Sequence, residues 1–322
     1  MKQIISLLLS VLVSAASAAG AYKPEAGPYT VAIENHVAIE LDRRDLLVRV
    51  AYPASGGPFP LVVLSHGGGC VGGSYHMVGD HWVSHGYVVL QPTHPDSASL
   101  GFDMATVEPR QMEGIIRQRV EDMSAILDHL GDLERKAPGV KGKIDREHVI
   151  AAGHSMGGAT ALLATGLKLE NPFSKQRIES GENRYGGLLL LSEPGGNPTL
   201  PDEPWRYIDM PTFIYTGTDD YGSESRGENS RIPFQYNVVN DVPGDAPGKH
   251  YLWIDGINHY LGGGWCRAEV APGFDAEAVG ILNGVSTAFL DAYAKGDTDA
   301  LAFLNRGALP DAAGARPTLS LK

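Results

Sequence analysis

A succession of short, uninterrupted apolar runs, each stopped by a glycine or a polar residue, most restricts what this chain can fold into. Residues 60–67 read PLVVLSHG, 86–94 GYVVLQPTH, 148–155 HVIAAGHS, 186–193 GGLLLLSE, 211–217 PTFIYTG and 250–256 HYLWIDG. A strand with one face in water alternates apolar and polar residues. A run that is apolar at both parities needs cover on both faces, as in a parallel sheet between two helical layers. Helical segments separate the runs. The clearest spans roughly residues 109–130, where Ile116, Val120, Met123, Leu127 and Leu130 form one stripe at helical spacing. A second covers residues 276–294, with Leu282, Val285, Phe289 and Tyr293 on one face. Ahead of them, residues 36–54 (HVAIELDRRDLLVRVAYPA) read as two strands about a polar turn at 42–45. The expected class is α/β: a mostly parallel central sheet with helices on both faces, undivided by any repeat or linker.

The N-terminus stands apart from this pattern. MKQIISLLLSVLVSAASAAGAY has Lys2, an apolar stretch over 4–13, then small residues, which is the layout of a secretory signal peptide. Ala16-Ser17-Ala18 offers an A-x-A cleavage site, giving a leader over 1–18 and one domain over 19–322; Ala19-Gly20-Ala21 is a second option. The stretch is too short to span a bilayer, and no later segment reads as transmembrane. The expected location is secreted or periplasmic. The formal net charge is −12, with 26 Lys and Arg against 38 Asp and Glu, and no basic cluster tracks a helix or loop, which argues against a nucleic-acid partner. Polar, Gly- and Pro-rich stretches at about 171–185, 197–209 and 223–249 read as lid-like insertions, and the tail from Gly307 as loop.

One of the runs ends in chemistry. Gly153-His154-Ser155-Met156-Gly157 fits G-x-S-x-G between the apolar residues 149–152 and the helix formers 159–164. Glycine supplies 40 of the 322 residues, so the pattern alone is common and its surroundings decide. A strand before it and a helix after it are the surroundings it requires. There the serine sits on a strained bend with its hydroxyl above the sheet, and the helix N-terminus brings N–H groups and a positive dipole end to a developing oxyanion.

This elbow, together with LVVLSHGGGCVGGSYHMVGDHWVSHGYVVLQPTHPDS and RQRVEDMSAILDHL, resembles the α/β-hydrolase superfamily over nearly the whole chain after the leader. Within it the pattern looks like the branch holding dienelactone-hydrolase-like proteins and platelet-activating-factor acetylhydrolases. Dienelactone hydrolases proper carry a cysteine where this chain has Ser155. GHSMGG is also similar to the elbow of cutinases and polyester hydrolases, whose oxyanion loop has an aromatic residue where this chain has His66-Gly67-Gly68. The resemblance implies a nucleophile, an acid and a histidine in that chain order. Ser155 is the implied nucleophile. Asp220, just past the run ending at Gly217, is the implied acid, with Asp219 as the alternative. His259, beyond Gly256, is the implied base. Gly68 and Met156 are the implied oxyanion donors, with His66 ordering the loop. Cys70 adjoins that loop and Cys266 follows His259 by seven residues, so the fold implies a Cys70–Cys266 disulfide across the carboxyl edge of the sheet.

The activity this implies is carboxylic-ester hydrolysis on short or accessible acyl groups of a small-molecule, lipid or polymer ester, without cofactor or metal. Acyl transfer or peptide hydrolysis by the same triad, and a binding protein that kept the fold, are the competing readings. Trp205, Tyr207, Tyr221 and Trp265 are candidates for a substrate pocket, or ordinary partly buried aromatics. Arg117 and Asp122 read as a helix-surface ion pair.

Overall fold

In the computed structural model, the described residues are 20–167, 169–170, 177–178, 180–192, 208–220, 248–261, 264–266 and 273–321. The segment 1–18 expected as a leader, most of the three expected insertions, and Trp205, Tyr207 and Tyr221 lie outside them.

The apolar runs form the middle of a nine-stranded sheet. Strands β1 (Val31–Leu41) and β2 (Arg44–Pro53) make an antiparallel hairpin. The parallel core consists of β3 (Phe59–Ser65), β4 (Val88–Thr93), β5 (Ile144–His154), β8 (Gly187–Leu191), β9 (Thr212–Asp219) and β10 (Lys249–Asn258). The sheet order is β1-β2-β4-β3-β5-β8-β9-β10-β11, with β2 antiparallel to β4. Two short strands, β6 (Leu169–Glu170) and β7 (Arg177–Ile178), pair separately.

Apolar runs at both parities have the predicted consequence. Val62 and Leu64 of β3 enter one core with Val89, Ile150, Ala152, Leu189 and Leu191, while Leu61 and Val63 enter another with Val88, Leu90, Val149, Ala151 and Leu188. The first core is covered by α1 (His76–Ser84), α5 (Ala276–Ala294) and α6 (Thr298–Arg306). The second is covered by α2 (Pro109–Asp128), α3 (Leu130–Lys136) and α4 (Met156–Ala164). The start of α2 is set locally: Pro109 stands in its first turn, and the Glu108 N–H donates to the Gln111 side chain at 2.8 Å. Ala21 and Tyr22 are already buried in the first core.

The tail departs from expectation. Residues 317–321 are a strand, β11 (Pro317–Leu321), antiparallel to β10. A short polar-flanked segment reads as loop until a sheet edge is there to pair with it, and β10 supplies that edge. Arg316 ties the strand down by bonding Asp275, the N-cap of α5.

Candidate active site

Because β3, β4, β5, β8, β9 and β10 run parallel, the loops at their carboxyl ends meet along one edge, and Gly68, Cys70, Ser155, Met156, Asp220, His259 and Cys266 stand there. Ser155 follows β5 at φ 53° and ψ −119°, a conformation that costs a non-glycine residue about 1–3 kcal/mol. Its N–H donates to Leu191 O of β8 at 2.9 Å, which anchors the bend to the neighbouring strand. Both flanking glycines are required by contact. A Cβ on Gly153 would lie 2.1 Å from Gly157 O, and one on Gly157 would lie 2.1 Å from Ser65 O. Ser155 and Met156 remain partly exposed at the tip, while Gly153, His154 and Gly157 beneath them are buried.

The loop after β3 presents its backbone to this tip. Gly67 N–H donates to the Tyr75 hydroxyl (2.9 Å), Gly69 N–H to Asp96 (3.2 Å) and Cys70 N–H to Gly67 O (3.1 Å). Among the described residues the Gly68 N–H between them has no acceptor. Within α4, Gly158 and Ala159 turn their N–H groups to Ser155 O, which leaves Met156 at the helix tip, where backbone donors lack intrahelical partners. Gly68 and Met156 are close: a Cβ on Gly68 would lie 3.0 Å from Met156 Cε and 3.4 Å from Met104 Cε. His66 is fully buried. Burial and the nearby Arg119 charge hold it well below the ordinary histidine range, so it is neutral. Its Nδ1–H donates to Gly67 O at 2.7 Å and its Nε2 accepts from His94 N–H at 3.0 Å, so it orders the loop.

Asp220 and His259 meet at the same edge. Asp220 Oδ1 lies 2.7 Å from His259 Nδ1, and Asp220 Oδ2 accepts from the Thr216 hydroxyl at 2.8 Å. Asp220 is buried and His259 is 8 % exposed. Asp219 instead ends β9 in register with Asn258. The loops carrying Gly68 and His259 are joined by the Cys70–Cys266 disulfide, which closes a separation of 196 residues with a Cα–Cα distance of 5.3 Å. Trp265 is no pocket wall. It is 2 % exposed, it packs against Tyr75, His154 and Tyr215, and its indole N–H donates to His259 O at 3.1 Å.

A second buried polar cluster lies under the loop at Gly67–Cys70, and sequence reading missed it. Asp122 is not on the helix surface. It is buried, with Oδ2 at 2.8 Å from His94 Nδ1 and Oδ1 bonded to Arg44; Arg117 pairs with Glu113 at the surface instead, at 3.5 Å. His94 Nε2 contacts Ser65 Oγ at 2.9 Å. Arg119, fully buried, binds both oxygens of Asp96 (2.6 and 2.8 Å), Thr160 Oγ1 (3.0 Å) and His66 O. Burial pushes Asp122 up to about 7 despite the opposing pull of Arg44. Burial and the Arg119 charge hold His94 well below its ordinary range. The available signal was periodicity: Ile115, Arg119, Asp122 and Ile126 recur at helical spacing, and all are buried. A charged residue on that face needs a buried partner. Among the described residues no group of three His, Cys, Asp or Glu side chains could hold a metal ion, and no helix is long and apolar enough to cross a membrane.

The strand order, the elbow at Ser155 and the loop at Gly68 are those of an α/β hydrolase, and the chain has that fold. A family model described as Chlorophyllase matches residues 18–175, a stretch that holds the Gly68 loop and Ser155 but ends before Asp220 and His259. The chain is similar to platelet-activating factor acetylhydrolase of Cavia porcellus, 26% identical over 139 residues, covering 34% of this chain and 32% of the relative. It is likewise similar to platelet-activating factor acetylhydrolase of Bos taurus, 31% identical over 147 residues, covering 35% and 33%. The chain thus matches about a third of the length of these relatives.

Proposed function

We propose that this protein is an exported serine carboxylic-ester hydrolase in which Ser155, His259 and Asp220 form the triad. The carrying observation is the meeting, at one sheet edge, of a partly exposed serine on a positive-φ elbow, two backbone donors beside it, and a histidine fixed by a buried carboxylate. His259 gives its Nδ1–H to Asp220, which makes Nε2 the nitrogen that takes the Ser155 proton. Ser155 Oγ then bonds to the ester carbonyl carbon, and the Gly68 and Met156 N–H groups hold the oxyanion. The carbon–alkoxy bond breaks as His259 returns the proton to the leaving alcohol. Water, deprotonated by the same nitrogen, releases the acid and restores the hydroxyl. Every step is a proton or acyl transfer among these side chains and water.

Short acyl groups fit best. The methyl ends of Met156 and Met104 both lie close against Gly68, and the two relatives are named as acetylhydrolases. Export accords with the leader-like N-terminus and with a disulfide, since such bonds persist in oxidising compartments. The test is hydrolysis of p-nitrophenyl esters from acetyl to palmitoyl, with S155A alongside. The expected result is activity greatest at short chains and abolished in the variant. Activity that survives S155A, or a folded protein inert on all chain lengths, would refute the reading. Ester products formed only with an added alcohol would make it an acyltransferase.

A further inference from the structure

The residue between Gly153 and Ser155 has a role that the triad does not use. His154 is buried, and its ring stands 4.6 Å from that of His259. Its Nε2 lies 2.9 Å from the backbone carbonyl of His259, and its Nδ1 lies 2.8 Å from the hydroxyl of Tyr75. That hydroxyl in turn receives the N–H of Gly67 at 2.9 Å. Burial and the neighbouring His259 hold His154 far below the ordinary histidine range, so its ring is neutral.

These contacts permit one arrangement of protons. A carbonyl only accepts, so His154 Nε2 carries the hydrogen and donates to His259 O. Its Nδ1 is then an acceptor, and Tyr75 must donate to it. The Tyr75 oxygen is left to accept from Gly67 N–H, which has no other direction. The chain Gly67 → Tyr75 → His154 → His259 O is fully directed, and it joins the amide next to the Gly68 donor to the backbone of the base. Close approach is built in: a Cβ on Gly67 would lie 2.9 Å from His154 Nδ1 and 3.1 Å from Tyr75 Oη. Trp265 adds a second donor to the same carbonyl.

We propose that Tyr75 and His154 are positioning residues that hold the His259 backbone at a set distance from the oxyanion loop, so that proton transfer and oxyanion binding stay in register. This rests on the triad reading above. Because His154 is neutral, it does this without opposing the positive charge that His259 takes on during turnover.

The discriminating experiment compares kcat/KM, which reports acylation, for an alkyl acetate and for p-nitrophenyl acetate. An alkoxide leaves only with the proton from His259, whereas p-nitrophenolate leaves without it. In H154F and Y75F the alkyl ester should lose about 10–100-fold more than the activated ester, general acid catalysis by a placed group being worth about 10²–10⁴-fold. H154Q, whose amide can still donate to His259 O, should recover most of that difference. Equal losses on both esters in all three variants would overturn the proposal. A second readout needs no variant: in protein labelled with ¹⁵N-histidine, His154 should be the neutral Nε2–H tautomer from pH 6 to 9. An Nδ1–H tautomer or a cation there would overturn the proposal. Should wild type be active and S155A equally so, the triad reading itself fails, and this inference with it.

Discussion

Among the described residues stand two sets of serine, histidine and aspartate, one at the sheet edge and one buried beneath it. At the sheet edge stand Ser155, His259 and Asp220, with the histidine 2.7 Å from the carboxylate. Beneath the oxyanion loop stand Ser65, His94 and Asp122, with spacings of 2.9 and 2.8 Å. Residue types and the His–Asp spacing, 2.7 against 2.8 Å, barely distinguish them. Ser155 sits at positive φ on a helix tip, partly exposed, beside the Gly68 N–H. Ser65 is the last residue of a regular strand, fully buried, and Arg119 donates to its hydroxyl at 3.3 Å. Buried in this way, Ser65 is out of reach of a substrate carbonyl. The inner cluster holds the loop that carries Gly68, through Arg119 and His94 bonds to His66. The lesson is that access, backbone strain and oxyanion donors make a nucleophile, not the triad pattern alone.

The sharpest test sets the two serines against each other. S155A should abolish ester hydrolysis by about 10⁴–10⁶-fold and remove all labelling by a fluorophosphonate probe. S65A should keep labelling and turnover within about tenfold while losing about 1–3 kcal/mol of stability, because His94 Nε2 would be left buried without its hydrogen-bond partner. Labelling of Ser65, or a dead and stable S65A, would break the comparison.

The two acids come next. D220N should lower turnover by about 10⁴-fold through loss of His259 orientation. D122N should leave most activity, its effect passing only through the loop.

The disulfide ties the loops of the outer site and does not touch the inner cluster. Replacing both Cys70 and Cys266 with serine should cost about 2–5 kcal/mol in thermal unfolding, with activity lost at lower temperature than the inner fold. A variant as stable as the wild type would show that the tie is dispensable.

The smallest effect is in the pH dependence of stability. His66, His94 and His154 are held well below their ordinary range by burial, and His81 and His250 are lowered to about 4 by the same cause. Lowered histidine values contribute stability that is present above about pH 6.5 and lost as pH falls through the folded values. Asp122 works the other way. Raised from 3.8 to about 7, it contributes stability that is full below 3.8 and lost as pH rises through 7. Denaturant unfolding should therefore show falling stability from pH 6.5 toward 4. Over the same window the wild type should gain relative to D122N as pH falls, by up to about 1.4 kcal/mol per pH unit. No pH dependence in that difference would place Asp122 in solvent or its charge in full compensation.

Much of the outer site was legible in the amino-acid order because each residue stands at the end of an apolar run, and run ends map to one sheet edge in a parallel fold. The helix at 276–294 was legible for a similar reason: the periodicity of Leu282, Val285, Phe289 and Tyr293 is local. The inner cluster was not, because Ser65, His94, Arg119 and Asp122 come from three elements and look like a strand end, a loop and a helix surface when read singly. The tail strand was hidden for another reason, since an edge strand is defined by the partner it pairs with.

By itself, then, the sequence determined the class of sheet, the elbow at Ser155 and the candidates at its other strand ends, because hydrophobic period and glycine placement are short-range constraints. Tertiary structure alone decided which of the two serines is partly exposed, which aspartate meets His259, and that Tyr75 and His154 run in hydrogen-bonded sequence from Gly67 to the His259 carbonyl. Those outcomes depend on burial and on hydrogen-bond direction between segments far apart in the chain, which no local pattern encodes.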